Sequence, residues 1–163
     1  MSIVGWCQWL QNTSLSTAIS QSDLLFPVIE GSHILGLSLS VGLITILDLR
    51  FLGLAFAGEP VSKIMKQLMP WSLLGFAVMI ITGGLLFITQ AEKAYGNTFF
   101  RIKFLLLLLA GLNALYYQLR FYPKMQEWDI ALSTPLDVRV CAVLSLVFWV
   151  GVIACGRTMA YEI

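Results

Sequence analysis

From Trp71 to Thr89, WSLLGFAVMIITGGLLFIT, 19 residues pass without a charged side chain. As a helix this run is about 28 Å long, close to the roughly 30 Å hydrocarbon core of a bilayer. Lipid offers nothing to an unpaired backbone amide, so an apolar run of this length must close its hydrogen bonds on itself. Three further stretches have the same character, near 26–48, 101–119 and 138–156. Joined by short connections, they predict an all-α, four-helix transmembrane bundle occupying residues 1–163 as a single membrane domain.

Composition agrees. Hydrophobic residues make up 58% and charged residues 12%, against roughly 45–50% and 25% for a soluble domain, with a mean hydropathy of +0.84. The lipid bilayer is therefore the expected partner for most of the surface. A net charge of +1 supplies no field for nucleic acid, which is excluded as a partner. With a single histidine, no Ser-His-Asp constellation and no Gly-rich phosphate loop, hydrolase and kinase chemistry has no foundation. Cys7, Cys141 and Cys155 show no metal-ligand spacing and read as small packing residues.

Residues 1–22 are too polar to span. Trp6, Trp9 and Leu10 share a helical face, which predicts an N-terminal amphipathic interfacial helix, with a frayed terminus as the alternative. The first 25 residues hold no Lys or Arg for a signal n-region, so this segment is expected to stay in the mature chain. Pro27 fits the first turn of the span that follows. Gly58, Glu59 and Pro60 end that region, Val61 to Met69 reads as a loop, and Pro70-Trp71 opens the second span. Positive charge orients the bundle. Arg50, Lys63, Lys66, Arg120, Lys124 and Arg139 lie at one end and Lys93, Arg101, Lys103 and Arg157 at the other, which favours both termini outside the cytoplasm.

Ionisable groups inside a span are costly and mark candidate sites. Glu30 and His33 are three residues apart and stack on one helix face, about 10 Å below Phe26 for the histidine. Glu-x-x-His is a metal-ligand spacing in helix bundles, so Glu30 and His33 are candidate metal ligands. A haem b reading uses the same residues: His33 as axial ligand, the small residues Gly36 and Ser40 beside it, and Gly83-Gly84 opposite. The second axial position would fall to Met79, another methionine or His33 of a symmetry-related subunit, or would stay open. The competing reading makes Glu30 the ion-pair partner of Arg101, Lys103 or Arg157. At the far end Asp48 and Arg50 are expected to cross-pair with Asp137 and Arg139, the alternative being an ion or proton path over the roughly 22 Å from Glu30 and His33 to Asp48. Asn113 and Tyr117 share a face and read as interhelical glue.

The blocks EGSHILGLSLSVGLITILDLRFLG, PWSLLGFAVMIITGGLLF, YGNTFFRIKFLLLLLAGLNALYYQ and GRTMAY together resemble a bacterial family of small four-helix inner-membrane proteins of unknown function. The resemblance covers nearly the whole chain. It implies a bacterial inner-membrane location and places Glu30, His33, Asp48, Arg50, Pro70, Trp71, Gly84, Lys103, Asn113 and Arg157 on recurring positions. It also implies a second histidine in relatives where this chain has Gln118, a departure that weighs against two histidine ligands from one subunit. The function expected from these residues is a cofactor-binding membrane subunit, with haem b or a metal ion at His33, serving electron transfer in a homo-oligomer or larger membrane complex. The alternatives are a structural or accessory subunit and a small proton- or ion-coupled transporter.

Overall fold

The computed structural model describes residues 2–129 and 134–162, and no strand occurs among them. Two short helices, α1 (Ile3–Gln11) and α2 (Ser14–Ser20), precede four long ones: α3 (Leu25–Phe51), α4 (Val61–Thr89), α6 (Thr98–Arg120) and α7 (Leu136–Glu162). A short α5 (Ala91–Gly96) and a 3₁₀ helix (Tyr122–Glu127) complete the described elements. All four long helices are apolar and long enough to cross a membrane, as the sequence predicts.

The bundle is two antiparallel pairs, α3 on α4 and α6 on α7, joined through α3 and α7. The α3–α4 seam is tight for a reason visible in the sequence. A methyl group on Gly75 would stand 2.8 Å from the Ser40 amide nitrogen and 2.9 Å from the Gly36 carbonyl oxygen. Without side chains at Gly36 and Gly75 the two backbones touch, which is how helices associate in lipid where no hydrophobic force drives them together. Ser40 Oγ has the Gly36 carbonyl at 2.8 Å and Met79 Sδ at 3.1 Å as acceptors for its one proton, and Ser72 Oγ donates to the Ser40 carbonyl, so the hydroxyls along the seam are satisfied.

One expected boundary is wrong. Val61 to Met69 is not a loop but the first two turns of α4, and Pro70 lies inside the helix. Packing overrides the proline. Val61, Ile64 and Met65 are buried in a cluster with Leu47, Phe51, Tyr117, Val138 and Ala142, and Asp129 holds the start of the helix by accepting from both Ser62 N (2.7 Å) and Ser62 Oγ (2.6 Å). Trp128 is buried in the same cluster, its ring edge-on to Phe51.

The N-terminal segment is two helices instead of one, broken at Thr13, whose hydroxyl caps α2 by accepting from Ser16 N. The pair docks on its own chain. Cys7, Ser16 and Ile19 are buried, Ser16 Oγ donates to the Ile88 carbonyl, and Gln8 Nε2 donates to Glu92 Oε1. Trp6 and Trp9 remain on the outside, 52% and 59% exposed, where an interfacial indole belongs.

Candidate functional site

His33 projects from α3 against α4. Its ring lies over Gly83, where a methyl group would come within 3.1 Å of His33 Cε1, so the glycine is what admits the imidazole. His33 Nδ1 is 3.0 Å from Thr82 Oγ1, and that hydroxyl is 2.6 Å from the Val78 carbonyl one turn back. A threonine hydroxyl has one proton. Because that proton goes to Val78, Thr82 Oγ1 can only accept from the ring, and the proton on neutral His33 is assigned to Nδ1. The Met79 carbonyl is a second acceptor within reach of the imidazole. Nε2 therefore keeps its lone pair. Histidines that ligate metals are held in this way, with the non-ligating N–H tied to an oxygen of the protein.

Around this ring the structure redistributes the other expected residues. Glu30 is exposed and makes no hydrogen bond or ion pair with a described residue, so neither the Glu30 ion pair nor a joint Glu30–His33 grip is formed. Arg101 turns to the Tyr95 carbonyl and ring, and Arg157 to the Tyr161 hydroxyl and ring. Lys103 is half-buried, its Nζ 3.3 Å from the point where Gly156 would carry a Cβ, and its charge is near enough to interact with His33. Gly36 and Ser40 do not line a slot for a macrocycle: α4 fills the space beside them at backbone contact distance. Gly84 faces open space. The sulfur of Met79 is engaged by Ser40 Oγ on the α3–α4 seam. No group of three or more His, Cys, Asp or Glu side chains positioned for a metal occurs among the described residues.

At the other end the expected cross-pairing of Asp48 and Arg50 with Asp137 and Arg139 does not form. Arg50 is buried and donates from Nε (3.0 Å) and Nη2 (2.8 Å) to the Glu59 carbonyl, closing the loop after α3. Asp137 and Arg139 are exposed at the start of α7. Asp48 is buried without a cation. Asn113 does act as glue, Nδ2 donating to the Cys141 carbonyl across the α6–α7 pair at 2.9 Å.

Thr82 escaped the sequence reading. The signal that could have found it is its place next to Gly83-Gly84, at the point along α4 that an antiparallel partner brings level with His33.

The chain belongs to a family of unknown function (DUF6644), which it matches over residues 14–162. No curated protein and no solved structure matches it.

Proposed function

We propose that this protein is a cofactor-binding membrane subunit for electron transfer, in which His33 would hold haem b or a bound metal ion through Nε2. The observation that carries the reading is the chain of hydrogen bonds from His33 Nδ1 through Thr82 to the Val78 carbonyl, which presents Nε2 as an acceptor in the apolar part of the bundle. Haem would supply one-electron redox chemistry. This chain's own residues orient the imidazole through Thr82 and Met79 and place the positive charge of Lys103 nearby. One chain offers one such ligand, so the site is completed by a second copy or by a partner subunit within a larger membrane complex. The reading extends to the inner membrane of a bacterium with both termini on the periplasmic side, in keeping with the distribution of Lys and Arg.

A second reading is favoured by the closeness of the α3–α4 seam: a structural subunit in which the His33–Thr82 bond only ties the two helices together. An absorption spectrum of the detergent-purified protein, oxidised and dithionite-reduced, separates the two. A Soret band that shifts on reduction and is lost in His33→Ala is the expected result. A featureless spectrum from folded, haem-supplemented protein overturns the haem assignment, and metal analysis of that sample then decides between a bare metal and the structural role.

A further inference from the structure

Asp48 stands apart from the His33 site, near the opposite end of α3. It is only 5% exposed, and its Oδ2 has no hydrogen-bond partner among the described residues. The neighbouring elements offer no cation. On its own helix, Arg50 commits its guanidinium to the Glu59 carbonyl. On α7 the near groups are the Ser145 hydroxyl and the Cys141 thiol. On α6 the polar groups at this level are Asn113, spent on the Cys141 carbonyl, and Tyr117, whose hydroxyl donates to Met65 Sδ on α4 at 3.4 Å. Leu47, beside it in sequence, belongs with Phe51, Val138, Ala142 and Trp128 to one buried apolar cluster.

An ionised carboxylate in such a place would be unpaired and undersolvated, which proteins avoid by neutralising the group. From this geometry we infer that Asp48 is a proton-binding site, carried as a neutral carboxylic acid inside the bundle, with the Ser145 hydroxyl as its nearest partner for proton exchange. The inference is independent of any cofactor at His33. It also assigns Asp48 a role that cross-pairing with Arg139 would have removed, since a paired carboxylate holds no proton to exchange.

Infrared spectroscopy of the full-length protein in liposomes at neutral pH tests it. The wild-type minus Asp48→Asn difference spectrum is expected to show loss of a protonated-carboxyl C=O stretch, and dicyclohexylcarbodiimide, which reacts with protonated acids in apolar surroundings, is expected to label the peptide carrying Asp48 in the wild type alone. Asp48→Asn preserves the shape of the neutral acid, so the variant should fold with an unchanged melting temperature. Loss of carboxylate stretches instead of the C=O band overturns the proposal. So does protection from labelling by sodium chloride but not by choline chloride, which would make Asp48 the ligand of a metal cation.

Discussion

At the residue scale the decisive feature is a tautomer. The protein has one histidine, so a nitrogen NMR spectrum of the histidine-labelled protein contains a single imidazole whose two nitrogens report directly on its state. For neutral His33 without an exogenous ligand we expect the proton on Nδ1. Thr82→Val removes the acceptor and should both redistribute the proton between the nitrogens and lower thermal stability by about 1–3 kcal/mol, the usual cost of stranding a buried donor. Thr82→Ser, which keeps the hydroxyl, should restore the wild-type spectrum. An unchanged tautomer in Thr82→Val would show that Met79 alone fixes the ring. His33 was legible as a candidate because an ionisable group in an apolar run is rare. The exposure of Glu30 was not, because the spacing of two residues says that they share a helix face and leaves open which way the face turns. In water an amphipathic stripe gives the answer, but α3 is apolar nearly all round and carries no such mark.

At the element scale the α3–α4 seam rests on missing side chains. Gly75→Ala would press a methyl group against backbone atoms of Ser40 and Gly36, which cannot swing aside as a flexible side chain could. A loss of about 1–3 kcal/mol, typical of overpacking, is expected in thermal unfolding followed in detergent. Gly84→Ala meets nothing within 4 Å and should leave the melting temperature unchanged, or raise it slightly through helix propensity. Equal effects in the two variants would remove the seam as the organising contact. The start of α4 teaches a related lesson. Pro70 and the lysines before it read as a break between loop and helix, since proline removes a backbone donor and bends a helix interior. Burial of Val61, Ile64 and Met65 and the Asp129 cap at Ser62 outweigh that local cost. None of those partners is near Val61 in sequence, which is why the helix start could not be read locally.

At the scale of the whole molecule, four antiparallel spans bring both termini to the same end of the bundle, the end that holds Glu30, His33 and Lys103. The excess of Lys and Arg at the opposite end predicts that a C-terminal alkaline phosphatase fusion is active in a bacterial host and that a fusion after Lys124 is inactive. The reverse pattern would place His33 in the cytoplasmic half. The spans turn many large apolar side chains outward, and α6 is the least buried of them, with 6% of its membrane-length window buried. Such a surface suits lipid. The sequence by itself determined the solvent, the number of spans and the presence of ionisable groups within them, because hydropathy and length are local properties that a bilayer reads directly. Only the tertiary structure decided which groups meet. It paired His33 with Thr82 while leaving Glu30 on the outside, and it drew Arg50 to Glu59 while isolating Asp48. Each of these depends on how an evenly apolar helix is rotated against its neighbours, and side-chain fit at Gly36, Gly75 and Gly83 sets that rotation where hydrophobicity cannot.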